Sequence, residues 1–350
     1  MRLVVLALCW LACSCAQTDI IAVAANPLCL HAVDCEGTHS CPASQCGASA
    51  SSSDRCALAA LPLRVGDGCS DSAPNQSAFR FGVCSCTDYV STAGLSIDAW
   101  DSRTGRAASA ASALGIDGSL DLKGQLSVDG SVQLTGELSS VTAQNAQITA
   151  LVLSHAHPPC NCSAANQLDI EALVAARASD NDDAAHGLDP SHLDGFAGVT
   201  TLDLPCGRYY LTRVAGSGDL QISAHGNVQL FVAGNMELDR SLVVRPDPLG
   251  RFELLVAGNV RVAADLQLGT QVDAPRANLY VGGRGTIDLG GTTTLAGVLY
   301  APQAELVTRA AFTSHGALFV RRVSAGAQLD VHYDVALGQP VACDQSGKSG

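Results

Sequence analysis

The chain is poor in the residues that make surfaces adhesive to polyanions. It has only two lysines, Lys123 and Lys348, among 350 residues, with 4% aromatic and 15% charged residues overall. Two methionines and two tryptophans complete the short list of scarce residues. A 47% hydrophobic content with so little charge excludes a disordered polyelectrolyte and a coiled coil. The net charge of −13 excludes non-specific binding to nucleic acid or to an anionic membrane. Motifs of common chemistry are missing too: there is no Gly-x-Ser-x-Gly elbow, no phosphate loop and no dinucleotide fingerprint.

Cysteine, by contrast, is abundant, with 15 in the chain. Residues 1–16 read as a secretory signal, with Met1-Arg2, an apolar run from Leu3 to Ala12 and a small-residue exit. The run is too short to span a membrane. Cleavage after Ala16 leaves twelve cysteines, and lipid attachment at Cys15 leaves the same twelve, so the segment also reads as a lipoprotein signal. Either route predicts an extracellular, outer-membrane or periplasmic location, with membrane contact only through such an anchor. Cys29, Cys35, Cys41, Cys46, Cys56, Cys69, Cys84 and Cys86 crowd into residues 27–87, which hold few core-forming side chains. That composition predicts a small disulfide module, since covalent links supply what a core of this size does not. The spacing is irregular, unlike the paired cysteines of zinc sites. Cys160, Cys162, Cys206 and Cys343 are spread farther along. Cys160 and Cys162 are expected to reach outward rather than bond each other, tying the middle segment and a C-terminal tail over 336–350 to the main body.

Two sets of repeats follow a stretch, 88–117, that reads as a linker. Over 118–153 a six-residue period runs through Gly118, Gly124, Gly130 and Gly136, each glycine followed by alternating apolar and polar residues. That is the pattern of flat solenoid faces joined at corners, about two coils in all. Over 201–335 the tripeptides beginning at Leu230, Leu254, Leu279, Leu299 and Leu318 recur at 24, 25, 20 and 19 residues, with Val232-Ala233-Gly234-Asn235 echoed by Val256-Ala257-Gly258-Asn259. These are coil lengths of a parallel β-helix, and Tyr209-Tyr210-Leu211 marks an earlier coil. The expected fold is all-β: a parallel β-helix, for which we expect a right-handed coil, interrupted over 154–200 by a loop and one α-helix.

Strand alternation turns Phe231, Leu255, Tyr280, Tyr300 and Phe319 outward in one stripe. Such a stripe needs a cover. Leu168, Ile170, Leu173, Val174 and Arg177 lie at helical spacing and are candidates to shield it. If the stripe is open instead, Phe231, Tyr280, Tyr300 and Phe319 are the candidate ligand-binding residues, facing sugar rings or another envelope protein. Asp180, Asp182 and Asp183 are candidate calcium ligands, although the segment lacks the glycine and closing glutamate of an EF-hand. His155 and His157 beside Cys160 and Cys162 resemble a metal site, but export favours disulfides there.

Several segments together resemble a family of uncharacterised secreted proteins common in myxobacteria. They are the leader ending Cys84-Ser85-Cys86, the glycine hexads, Pro159-Cys160-Asn161-Cys162, Leu204-Pro205-Cys206-Gly207-Arg208-Tyr209-Tyr210-Leu211, the Val-Ala-Gly-Asn coils, Gly297-Val298-Leu299-Tyr300-Ala301-Pro302 and Val331-His332-Tyr333-Asp334. The resemblance implies a β-helix and export and brings no activity. The hexads are also similar to those of the polymerising bactofilins, but a disulfide module before the repeats and a Cys343-bearing tail after them read as caps at both ends. Of the signatures of β-helix polysaccharide hydrolases (Asn-Thr-Asp, Asp-Asp, Gly-His-Gly, Arg-x-Lys), only Asp182-Asp183 is present, outside the coils. The reading is therefore a non-catalytic secreted or envelope-anchored structural or adhesive solenoid with polysaccharide or protein partners. A polysaccharide lyase or hydrolase is the alternative. No catalytic residue and no cofactor beyond calcium is assigned, and oligomeric state is open.

Overall fold

The computed structural model describes residues 79–337, apart from 109–111, 140–144, 154–156, 161, 272–273 and 275. Cys15 and the six cysteines from Cys29 to Cys69, like Cys343, lie outside the described residues.

The strands are short, and almost all pair in parallel with a neighbour one turn away, so the chain winds a three-faced solenoid. In the second repeat region each turn contributes one strand per face. Asp194–Phe196, Thr200–Leu204 and Gly207–Leu211 form coil 1, and their partners Val214–Gly216, Leu220–Ala224 and Asn227–Val232 form coil 2. The pattern continues through residue 320 in coil 6. Register follows the repeats: Tyr209, Leu230, Leu254, Leu279, Leu299 and Leu318 stack inward. Each is buried, which contributes on the order of 1.5–3 kcal/mol per side chain before chain entropy is counted. At one corner the Asn of each Val-Ala-Gly-Asn repeat links turns: Asn235 Oδ1 accepts the Asn259 N–H at 3.0 Å, and Asn259 Oδ1 accepts the Gly285 N–H at 2.9 Å. Another corner brings backbones into contact, since a Cβ on Gly218 would sit 1.6 Å from the Gly198 carbonyl oxygen.

The order of coils along the solenoid is not their order in the sequence. Leu329–Asp334, near the C-terminal end of the described chain, pairs with Leu95–Asp101. Coil 7 is a composite: residues 322–334 supply two faces, and Val83–Ser85 supplies the third, pairing with 318–320 on one side and Ser112–Ile116 on the other. Residues 89–116 then form coil 8, and the hexads form coils 9 and 10. The two repeat regions are thus one continuous stack. The described residues of 157–193 run along its outside, from coils 7 and 8 to coil 1.

Two expectations change accordingly. Residues 88–117 are not a linker; their short alternating runs Tyr89–Ser91, Leu95–Asp101 and Ser112–Ile116 are solenoid strands, interrupted by a small hairpin in which Trp100 pairs with Ala107. Cys84 and Cys86 sit on and just after the first strand, fastened to the solenoid. The disulfide module and the Cys343-bearing tail read as caps lie outside the described residues; the described chain begins at Phe79 and ends at Leu337 beside the middle of the stack, against coils 5 to 7.

Candidate functional site

The aromatic stripe does face outward, in register from Tyr210 through Phe231, Leu255, Tyr280 and Tyr300 to Phe319. It is not open. Phe231, Tyr280, Tyr300 and Phe319 are all buried, because the returning segment lies on them. Its helix, α1 (Ile170–Ala175), is capped by Asp169, whose carboxylate accepts the Ala172 N–H at 2.9 Å, and it buries Ile170 and Val174. The Leu168 N–H donates to the Tyr300 hydroxyl at 3.0 Å, Phe79 meets Tyr300 edge-on, and the Arg177 guanidinium lies 5.8 Å from the Phe231 ring centre. Burial holds the Tyr280 and Tyr300 hydroxyls far above their usual acidity range, so both stay protonated. These four residues are therefore seam-forming, and the shielding role read from Leu168, Ile170 and Val174 is the one the structure adopts. A groove of about 170 Å³ beside the seam, lined by Gln167, Asp169, Glu171 and Arg284, is smaller than ordinary ligand pockets.

The acidic segment does not gather its carboxylates around a cation position. Asp182 Oδ2 accepts the Arg208 N–H at 2.8 Å while the Asp182 N–H donates to the Arg208 carbonyl, and Asp183 Oδ1 accepts the Tyr210 N–H at 3.1 Å. Asp180 pairs with Arg177 and Arg208 at 2.6 and 3.1 Å. Asp180, Asp182 and Asp183 thus act as a side-chain strand along the outer edge of Gly207–Leu211, and the short helix α2 (Asp183–His186) continues across coil 1. This is a cap, and the calcium expectation is not met: each carboxylate turns one oxygen to a backbone N–H or an arginine, and the three do not converge as a ligand set. Burial, with Asp182 adding repulsion, lifts Asp183 to about 6.

Two disulfides anchor the other part of the returning segment: Cys84–Cys160 and Cys86–Cys162. Cys206 is also disulfide-bonded. Asp117 accepts the Cys160 N–H at 2.8 Å and Arg80 donates to the Pro159 carbonyl at 2.5 Å, gripping the same strap. Asp117 lies within 4.8 Å of both cysteine sulfurs, but oxidised sulfur offers no thiolate, so this is no metal site. Gly115 leaves close room where the strap crosses, since a Cβ there would stand 3.1 Å from the Phe81 ring and 3.2 Å from Cys160 Sγ.

Exposed ionisable groups are arranged as ties between turns. His225 sits between Asp203 at 2.6 Å and Asp247 at 3.3 Å, and the hydrogen bond its ring makes to the Asp203 carboxylate raises its pKa. Arg213 meets Asp194, Arg261 meets Asp239 and Arg309 meets Asp288, each pair one coil apart. At the junction of the two chain halves His315, His332 and Asp98 stand in one register row. The imidazoles stack at 4.7 Å; Asp98 at 2.8 Å raises His332, while burial and the neighbouring His332 lower His315. The two rings are thus shifted in opposite directions, His332 toward and His315 away from the charged form.

Two faces remain open to solvent; one carries the outward charges of Glu237, Arg261 and Asp288, and the other is almost uncharged along its central row. Its outward row is Thr201, Gln221, Val243, Gln267, Thr294, Thr313, Asp330, Ser96, Ser127 and Gln147, each in register with the next. Ten strands at about 4.8 Å spacing make a row of about 43 Å with a single charge. Sequence reasoning missed this row because its first seven members in space, Thr201 to Asp330, follow the other three, Ser96, Ser127 and Gln147, in sequence.

Comparison with known proteins adds the following. A family described as a domain of unknown function (DUF7305) matches residues 161–339. Among curated proteins none matches. A solved ice-binding protein from the Antarctic ascomycete Antarctomyces psychrotrophicus is 12% identical, with a TM-score of 0.28 over 73% of this chain and 95% of its own.

Proposed function

The chain belongs to the DUF7305 family, and from its own geometry we propose that it is an exported, non-catalytic solenoid whose flat polar face contacts an extended glycan or matrix surface. The observation that carries this reading is the ten-strand row from Thr201 to Gln147. A rigid array of hydroxyl and amide groups at a fixed repeat complements a periodic partner, and its rigidity limits the entropy lost on contact. The disulfides support an oxidising compartment, consistent with export by the N-terminal signal or with an anchor at Cys15. The coil-to-coil ion pairs support stiffness as the purpose of the outward charges. The alternative, polysaccharide cleavage, is favoured by one cluster, Asp203–His225–Asp247, which is exposed and contains both an acid and a base.

The test incubates the oxidised mature protein with insoluble envelope and plant polysaccharides and measures retention and new reducing ends together. Retention is expected, and Thr294→Lys with Thr313→Lys should reduce it at least tenfold at unchanged melting temperature. Failure of every polysaccharide to retain the protein refutes the reading. New ends that disappear in Asp203→Asn with Asp247→Asn make it an enzyme.

A further inference from the structure

The two ends of the solenoid are finished differently. Coil 1 is closed by its own chain: Asp182 and Asp183 bond the outer edge of Gly207–Leu211, the Thr212 N–H donates to the Pro190 carbonyl, and Leu193 is buried across the end. Coil 10 is not closed by any described residue. Its last strand, Ala146–Leu153, pairs only with Leu126–Leu134 among the described strands. Leu151 and Leu153 continue the inward stack of Val132 and Leu134, yet they are 43% and 53% exposed, with Val152 at 44%. Among the described residues no strand covers the core here, and the outer edge of this strand has no described strand partner.

Natural sheet edges are protected by charge, proline or a covering segment. The run Ala146-Gln147-Ile148-Thr149-Ala150-Leu151-Val152-Leu153 has neither charge nor proline. We infer that this end is an interface for a second copy of the chain, joined end to end about a two-fold axis with the two terminal strands adjacent. Three observations select that occupant. In a chain of net charge −13 the uncharged end is where two copies repel least. At coil 1 the edge of Gly207–Leu211 is already bonded and Leu193, Leu202 and Leu204 are buried, so that end presents no open core for head-to-tail growth and the isologous, self-limiting contact remains. The described chain begins and ends elsewhere: Phe79 packs on Tyr300 in coil 5 and the Leu337 N–H bonds Asp334 in coil 7, three to five coils, or about 14–24 Å, from the open strand. A single terminal strand makes a small interface, so the pair forms and dissociates with concentration.

The oxidised mature protein would be followed by sedimentation across a thousandfold range of concentration, with amide hydrogen exchange read for 146–153. The mass should rise from one chain to two and stop, and exchange in the terminal strand should slow as it does. Val152 points away from the core, so Val152→Lys should weaken association at least tenfold at unchanged melting temperature. A monomer whose 146–153 amides are protected at every concentration means that another part of the same chain covers the end, and overturns the inference. So do a monomer with these amides unprotected throughout, growth beyond a dimer, or a Val152→Lys variant that pairs like the parent.

Discussion

The paired disulfides make a quantitative prediction, because they close nearly the same loop twice. Cys84–Cys160 and Cys86–Cys162 each span 76 residues. In the chain-entropy picture a lone loop of that length costs the unfolded chain about 4.5 kcal/mol at 25 °C, whereas a second bond beside the first closes a ring of roughly six residues and adds only about 2 kcal/mol. Replacing either pair alone, Cys84→Ala with Cys160→Ala or Cys86→Ala with Cys162→Ala, should therefore cost about 2 kcal/mol, since the surviving bond still closes the long loop. Replacing all four should cost about 6–7 kcal/mol, well above the sum of the two singles. Guanidinium unfolding read by Trp100 suits the measurement. Its indole N–H donates to the His332 carbonyl at the junction of the chain halves, so its emission reports loss of coil 8 from coil 7. Peptide mapping would verify that the remaining cysteines keep their partners. Strictly additive costs, or a single pair costing as much as both, would refute the argument that the strap is held by one topological closure with a redundant second lock.

Two further outcomes test the cap and the seam. The folded pKa of Asp183, about 6, lies above the unfolded value near 3.9. Its contribution to stability is thus full below about pH 4 and is lost as pH rises through about 6, where the ionised carboxylate is left with Oδ2 buried and unpartnered. Asp183→Asn, which keeps an oxygen for the Tyr210 N–H, should raise stability at pH 7.5 by at most about 3 kcal/mol and leave it unchanged at pH 4; equal effects at both values would exclude ionisation as the cause. Tyr300→Phe leaves the buried Leu168 N–H without an acceptor and should cost about 1–3 kcal/mol, with protease sensitivity rising in 157–180; an unaltered melting curve would show that the seam does not rest on this bond.

The solenoid was legible because its code is local. A Leu-x-Val tripeptide at each turn, a glycine at each corner and an Asn ladder in Val-Ala-Gly-Asn are written within single coils, so Leu230, Leu254, Leu279, Leu299 and Leu318 could be aligned from the sequence alone. The inner face of α1 was legible for the same reason, and so was the pairing of Cys160 and Cys162 with partners other than each other. Coil order was not, because nothing local in Leu329–Asp334 says that its neighbour is Leu95–Asp101. The candidate ligand residues failed for a related cause. Alternation gives the direction of Phe231, Tyr280, Tyr300 and Phe319, while their exposure depends on a segment that returns along the outside. The acidic triplet misled because a carboxylate that bonds a strand edge and one that binds calcium have the same sequence signature.

The permuted order also constrains how the molecule assembles. Val83–Ser85 must pair with residues 318–320 on one side and Ser112–Ile116 on the other, so coils 8 to 10 cannot be seated until coil 7 exists, and its other two faces come from residues 322–334. Contacts of such sequence separation form late, after loop-closure entropy has been overcome. The two disulfides, however, join residues within the first half of the described chain. Once formed, they hold Val83–Ser85 against the start of the strap, and the strap runs outward past the slot that coils 6 to 1 will fill. The clamp thereby fixes both the strand on which the second half must dock and the line along which its aromatic stripe will be covered. Tyr300, which meets Phe79 and the Leu168 N–H at once, is where these two constraints converge, making the buried stripe the means by which two repeat regions become one stack.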